Sequence, residues 1–127
     1  MKRAVAYRVW ISDLSSGEYV AGGSIENPTF IKLGERKISR VDVIGIIAEE
    51  SPNAIIVQDK TGKIAVKIFG EPLTVKKGEL VRVIGKIRQD QAGRFISGEI
   101  IKRVDDANYQ LLREKELGQP LVEEISF

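Results

Sequence analysis

The hydrophobic pattern of the chain predicts a set of β-strands between residues 37 and 104. Two runs rich in β-branched residues, 54–58 and 64–69, flank a polar turn at 59–62, which is typical of a β-hairpin with a positive φ at Gly62. Further runs with strand-like alternation occur at 38–48, 80–88 and 95–104. Five strands of this length predict an all-β domain that closes into a small barrel.

The residues before this core predict an N-terminal extension made of short strands. Residues 7–14 begin with alternating apolar and polar positions and precede a Ser-Ser-Gly turn, so we interpret them as a strand. Two shorter candidates follow at 18–21 and 29–33, and these segments are expected to close one end of the barrel. Trp10 is either a core residue or a platform that stacks a nucleic-acid base. Its apolar neighbours favour the core.

The strand after the turn separates its side chains onto two faces. Apolar residues at 64, 66 and 68 share one parity, while two lysines and an aromatic ring share the other. The second set is typical of a surface that follows a phosphate backbone and stacks a base, and a solvated strand face has the same pattern. A second row of cations lies on 80–88, and one more cation opens the last strand. The candidate nucleic-acid contacts are Lys63, Lys67, Phe69, Arg82, Lys86, Arg88 and Arg94.

The net charge of +2 hides an uneven distribution of charge along the chain. Residues 1–59 carry a net charge of −1, residues 60–104 carry +7 and residues 105–127 carry −4. Such an excess of positive charge on half of a barrel is the electrostatic footprint of a polyanion-binding protein, although lysines also protect strand edges. Charged residues make up 30% of the chain, which is typical of heat-adapted proteins.

The composition excludes several classes of function. The sequence has no cysteine and no histidine, which removes disulfides, thiolate and imidazole metal sites, and catalysis by either side chain. The aspartates have no spacing that brings two of them together, and Gly34 begins no complete Walker motif. We therefore expect a non-enzymatic protein without a metal or cofactor. No apolar run reaches the roughly 18 residues of a membrane span, so the expected location is the cytoplasm.

After Val104 the pattern changes to that of an amphipathic helix. Asp105 or Asp106 can cap it, and Gly118 with Pro120 marks its end. Because so short a helix is marginally stable alone in water, its apolar stripe must pack on its own barrel or on a partner's helix. The apolar character of the final residues favours the partner. The candidate interface residues are Val104, Ala107, Asn108, Tyr109, Leu111, Leu112 and Leu117.

Four segments together resemble the small OB-fold subunits of replication protein A, the archaeal version especially. They are the run at 8–14, the turn at 57–64, the strand at 77–87 and the terminal helix. The resemblance covers nearly the whole chain. It implies an OB-fold barrel at 1–104, made of an N-terminal extension at 1–36 and a five-strand core at 37–104. Residues 105–127 would then be a helix and tail used for subunit assembly.

The same resemblance implies a structural subunit of a heterotrimeric complex that binds single-stranded DNA in replication, repair and recombination. The terminal helix would join one helix from each larger OB-fold subunit in a three-helix bundle, with Ala107, Tyr109, Leu111 and Leu112 at the seam. DNA would be bound mainly through the complex, because outward aromatic residues are few and the first inter-strand loop is acidic. The alternative is a stand-alone protein that binds single-stranded DNA or RNA.

Overall fold

The structure, a computed structural model, describes residues 4–23, 28–70, 74–104 and 122–125. Ten strands and one short helix lie within these ranges. The strands are β1 (Ala4–Arg8), β2 (Glu18–Val20), β3 (Phe30–Leu33), β4 (Arg36–Ile38), β5 (Arg40–Ser51), β6 (Ala54–Asp59), β7 (Gly62–Ile68), β8 (Leu80–Asp90), β9 (Gly93–Arg103) and β10 (Val122–Ile125), and the helix is α1 (Ile11–Ser16).

Strands β5 to β9 close into a barrel, which confirms the five strands predicted from the sequence. Their order is β5-β6-β7-β9-β8, and β8 pairs with β5 to complete the circle. All of these pairings are antiparallel except that of β7 with β9. The alternating inward residues are β-branched and fully or almost fully buried, as the period of two requires. The core inside the barrel includes Val41, Val43, Ile47, Ile55, Val57, Ile64, Val66, Val81, Val83, Ile87 and Ile96.

Two glycines let neighbouring strands approach closely inside the barrel wall. A Cβ atom on Gly45 would lie 2.5 Å from the carbonyl oxygen of Gln58, and one on Gly85 would lie 2.2 Å from that of Ser97. Both distances are far below ordinary van der Waals contact, so a side chain at either position would force the strands apart.

The turn between β6 and β7 is held by a carboxylate rather than by an unusual backbone. The Oδ1 atom of Asp59 accepts hydrogen bonds from the Thr61 amide at 2.7 Å, the Thr61 hydroxyl at 2.6 Å and the Gly62 amide at 3.1 Å. The described glycines with positive φ are Gly34, Gly70, Gly78 and Gly93. The prediction of a positive φ at Gly62 is therefore wrong, because the side chain of Asp59 supplies the bonds that close the turn.

The strand predicted at 7–14 ends early and gives way to a helix. Strand β1 lies parallel to β5, and after Arg8 the chain turns into α1. Ile11 and Leu14 lie three residues apart, as one helical face requires, and both are fully buried. The amide of Ile11 donates to Asp59 Oδ2 at 2.9 Å and that of Ser12 donates to Thr61 Oγ1 at 3.0 Å. The β6–β7 hairpin thus satisfies the free amides at the start of α1.

Trp10 lies at the surface beside this hairpin, so the core position predicted for it is wrong. The side chain is half-buried, and the ammonium nitrogen of Lys60 lies 4.7 Å from the centroid of its ring. The burial expected from its neighbours occurs at Val9 and Ile11, which are both in the core.

The remaining strands extend the barrel on two sides. Strands β2, β3 and β4 form a second antiparallel sheet, whose Ile31 and Ile38 are buried in the common core. Strand β10 pairs antiparallel with β1 and is the outermost strand of the large sheet. Val104 is half-buried, and its amide donates to the Leu80 carbonyl at 2.8 Å. The helix predicted at 106–117, with its interface candidates from Ala107 to Leu117, lies outside the described residues.

Candidate nucleic-acid interface

One outer face of the barrel brings aromatic rings and cations together across β7, β9 and β8. Strand register places Lys67 beside Ser97, and Phe95 beside Arg88. Ser97 also faces Lys86 on β8. Residues paired directly across a sheet point to the same side, with neighbouring strands about 4.8 Å apart. The structure therefore places Lys67 and Phe95 on a single surface, which we call the β7–β9 face, and it places Lys86 and Arg88 on the adjoining strand β8.

Phe69 is the most exposed large apolar residue of the described part of the chain. Its side chain is 73% exposed, directly after the end of β7. The amide of the preceding Ile68 donates to the Asn53 carbonyl at 2.9 Å, so Phe69 lies next to the tip of the β5–β6 hairpin. An exposed aromatic side chain beside cations is the arrangement with which proteins stack unpaired bases.

A second aromatic residue of this face, Phe95, was missed by the sequence analysis. Its half-buried ring lies beneath Lys67, whose ammonium nitrogen is 4.2 Å from the ring centroid. The parity of Phe95 within β9 is the signal that could have placed it outward, but its position next to Lys67 depends on the pairing of β7 with β9. The face thus offers one open ring, Phe69, and one ring covered by a cation.

Lys67 is bound to an acidic residue as well as to this ring. Its ammonium group forms a short ion pair with Asp90, at the tip of the β8–β9 hairpin. The hydrogen bond from Lys67 is the main cause that lowers the pKa of Asp90, and the Ala92 amide, which donates to Asp90 Oδ1 at 2.9 Å, lowers it further. Part of the positive charge of the face is therefore neutralised within the chain.

Three other predicted cations have no acidic partner among the residues that the structure describes. They are Lys63 near the start of β7, and Lys86 and Arg88 on β8. Lys63 and Lys86 are exposed, while Arg88 is half-buried and donates from Nη1 to the Ile87 carbonyl at 2.8 Å. Unpaired cations attract a polyanion through its phosphates.

Arg82 is engaged elsewhere, in a buried ion pair. Its Nη2 atom lies 2.7 Å from Oδ2 of Asp42, a carboxylate with 0% exposure, and Arg8 approaches the same oxygen to 3.5 Å. This arginine has the sequence pattern of an outward cation, but its charge compensates a buried one.

Arg94 is engaged at the end of α1. Its Nη1 atom donates to three backbone carbonyls, those of Leu14 at 2.7 Å, Ser15 at 3.1 Å and Gly17 at 2.5 Å. These are the carbonyls that a helix leaves without an internal partner. The structure therefore gives Arg94 a capping role.

The rim of the β7–β9 face on the side of β5 and β6 is acidic. Glu49 and Glu50 are exposed where β5 leads into its hairpin with β6, and they line a shallow cavity together with Ile56. Carboxylates at this rim repel phosphate.

The described residues offer no site for a metal and no membrane span. Within 4–23, 28–70, 74–104 and 122–125, no three acidic residues lie close enough to hold an ion. None of the helices in this part of the chain is long and apolar enough to cross a membrane.

The barrel is similar to solved structures of known proteins. A comparison with protein families finds no match. The chain superposes on a chain of a replication protein A heterotrimer bound to ssDNA with a TM-score of 0.69 and 21% identity, over 85% of this chain and 88% of that one. The chain has the OB-fold. A chain of the S. pombe Stn1-Ten1 complex shares this OB-fold with a TM-score of 0.67 and 17% identity, over 85% of each chain.

A sequence relative is an uncharacterized protein of Methanocaldococcus jannaschii. It is 30% identical over 105 residues, which cover 82% of this chain and 43% of that protein. The chain therefore spans less than half of the length of that relative. The resemblance to small subunits of replication protein A holds at the level of the OB-fold.

Proposed function

We propose that this OB-fold chain is a non-catalytic subunit of a complex that binds single-stranded DNA, of the replication protein A type. Two observations support the proposal. The chain matches, over most of its length, chains taken from two multi-subunit assemblies, one of which is bound to ssDNA. It also carries an open face with aromatic rings and cations. Such a subunit acts in DNA replication, repair and recombination, in association with the nucleoid.

The observation that carries the nucleic-acid part is the placement of Lys67 over Phe95 on the β7–β9 face, with the exposed ring of Phe69 directly after the end of β7. A base can stack on the open ring of Phe69, while Lys67 can exchange Asp90 for a phosphate. With one open ring, the contribution of this chain to affinity is small, which agrees with a complex whose larger subunits bind most of the DNA.

Substitution of Phe69 by alanine tests this part. Loss of one stacking platform is expected to weaken binding of a fluorescent oligothymidylate by about 1 to 3 kcal/mol. The matched control is Ile46→Ala, which removes the other exposed large apolar side chain of the described residues, 47% exposed and on a different strand. Equal affinities for Phe69→Ala and the wild type would overturn the assignment of the face. An absence of binding by the wild type at low salt would overturn nucleic-acid binding by this chain.

The assembly part of the proposal rests on the amphipathic pattern at 106–117. In this proposal the helix joins helices of two larger OB-fold subunits, with Ala107, Tyr109, Leu111 and Leu112 at the seam. The full chain carrying Leu111→Asp and Leu112→Asp should no longer co-purify with larger OB-fold chains expressed beside it, because two charges cannot be buried in an apolar seam. Arg113→Gln with Glu116→Gln, outside the stripe, is the control. Unchanged co-purification of the aspartate variant would exclude this mode of assembly.

A second candidate function is that of a stand-alone protein that binds single-stranded DNA or RNA. The specific observation in its favour is that Lys63, Lys86 and Arg88 lack acidic partners in the described part of the barrel. This function requires the isolated chain to bind a strand as tightly as any complex that contains it. Titrations of the isolated chain and of its complex with oligothymidylate and with oligouridylate separate the two functions, and a steep weakening as salt rises would show that phosphate contacts carry the binding.

A further inference from the structure

A groove beside the β7–β9 face has the chemistry of a phosphate site. Its volume is about 560 Å³, within the range of small-molecule sites. It lies between β8 and the described residues 22–23 and 28–29. Its described lining consists of Gly22, Gly23, Pro28, Thr29, Ser39, Lys86 and Arg88.

Strand β8 supplies two cations to one wall of the groove, and Ser39, between β4 and β5, supplies a hydroxyl group beside them. The amide of Ile87 donates to the Ser39 carbonyl at 3.1 Å, which holds Ser39 next to the two cations that flank Ile87. Neither Lys86 nor Arg88 forms an ion pair with any residue of the described ranges. Two unpaired cations beside a hydroxyl group can bind the non-bridging oxygens of a phosphodiester.

The opposite wall of the groove consists of Gly22, Gly23, Pro28 and Thr29. The Thr29 hydroxyl accepts a hydrogen bond from the Gly22 amide at 3.0 Å and also lies 3.4 Å from the Gly22 carbonyl. A Cβ atom on Gly23 would meet nothing within 4 Å, so the groove is open at this point. The described lining residues include no aromatic ring, which suits the groove to a backbone rather than to a base.

The groove is continuous with the aromatic face. Arg88 lies directly across from Phe95, and Lys86 lies across from Ser97, which is itself next to Lys67. The distance from one strand to the next is about 4.8 Å, so the first cation of the groove is one strand away from the Phe95 ring.

We propose that this groove binds the backbone phosphates of a single strand that leaves the β7–β9 face across β8. The proposal rests on the nucleic-acid binding proposed above and adds the path of the strand. The aromatic face holds the first nucleotides through stacking. Lys86 and Arg88 hold the following phosphates without reading sequence, so the groove acts on long strands and not on short ones.

The test compares two strand lengths on the full chain. Oligothymidylates of about 4 and about 12 nucleotides lie near the two ends of the range of OB-fold site sizes. Wild-type protein should bind the longer strand more tightly. The double variant Lys86→Gln with Arg88→Gln should lose this preference and keep the affinity for the short strand. For the long strand, the slope of log K against log salt should fall by about 1.4, because each phosphate contact with a single strand contributes about 0.7.

The control variant is Lys76→Gln with Lys77→Gln, which removes two exposed positive charges at the opposite end of β8. It should keep the wild-type length dependence, and equal melting temperatures would show that both variants are folded. A double variant that binds the long strand like the wild type overturns the proposal. Equal weakening for both lengths also overturns it, because the cations would then belong to the aromatic face. Failure of wild-type protein to bind either strand instead overturns the nucleic-acid function itself.

Discussion

Asp90 holds the ammonium group of Lys67 over the ring of Phe95. Lys67, the cation on the β7–β9 face, is thus already paired with an acidic residue in the absence of a ligand. An exposed ion pair of this kind contributes little to stability. In the proposed nucleic-acid function, a phosphate can replace Asp90 at low energetic cost, so that Asp90 would set how strongly the face attracts a strand.

Asp90→Asn is expected to strengthen binding of single-stranded DNA. The substitution removes a negative charge from the face and releases Lys67, while the asparagine oxygen can still accept the hydrogen bond from the Ala92 amide. Fluorescence titration at low salt measures the gain, which should shrink as salt rises. Glu35→Gln, in the exposed turn between β3 and β4, changes the net charge equally and is the control. An identical gain in both variants would mean that only net charge matters.

The ion pair of Asp90 also predicts a dependence of stability on pH. The pKa of Asp90 in the folded chain lies below its ordinary value of 3.8 because Lys67 and the Ala92 amide stabilise the carboxylate. The stability that it contributes is therefore fully present above the pKa of the unfolded chain and is lost as the pH falls through the folded-state pKa. Urea unfolding of wild type and Asp90→Asn should differ at pH 7 and converge as the pH falls below 3.8. A difference that grows on acidification would contradict this assignment.

Arg82→Met should destabilise the fold and leave the β7–β9 face unchanged. It leaves the fully buried carboxylate of Asp42 with a weaker set of partners, and breaking a buried pair costs about 3 kcal/mol or more. The control is Lys102→Met on β9, an exposed cation directly across from Arg82, with an expected change within about 0.5 kcal/mol. Denaturant unfolding measures both variants. If Arg82→Met leaves stability unchanged but weakens DNA binding, Arg82 contacts DNA and does not serve mainly to compensate Asp42.

Gly85→Ala should destabilise the barrel by about 2 to 3 kcal/mol. The added methyl group would lie 2.2 Å from the Ser97 carbonyl oxygen, so β8 and β9 must separate at the point where their register shifts. Gly23→Ala is a matched control, since a Cβ atom there meets nothing within 4 Å. Thermal unfolding should show a clear loss for the first variant and almost none for the second. Comparable melting temperatures for the two variants would show that β8 and β9 can move apart without a loss of stability.

The strands of the barrel could be predicted from the sequence because their signal is local. Alternation of apolar and polar residues is set by the pleat of each strand, so the outward parity of Lys67 and Phe69 follows from neighbouring residues. The helix α1 could not be predicted in this way. It spans six residues, and the groups that complete its ends come from Asp59 and Arg94, far along the chain.

For the candidate site, the sequence could predict which side chains point outward but not which residues they contact. Parity alone places a cation outward, but it does not show which acid or carbonyl meets that cation. Arg82 is committed to buried Asp42, 40 residues away, and Arg94 to the carbonyls of α1. Phe95 joins the face through the register of β7 with β9, which no local pattern encodes.

The position of α1 has a consequence for the order of folding. Its two ends are bonded to residues 48 and 80 positions away, Asp59 with Ile11 and Arg94 with Leu14. A helix of six residues has no stability of its own, so it can form only after both hairpins exist. Arg94→Met should then accelerate unfolding by roughly tenfold and leave the refolding rate almost unchanged in stopped-flow measurements. A tenfold slowing of refolding instead would place α1 in the folding nucleus. The expected result means that α1 packs onto the barrel last during folding and detaches first during unfolding.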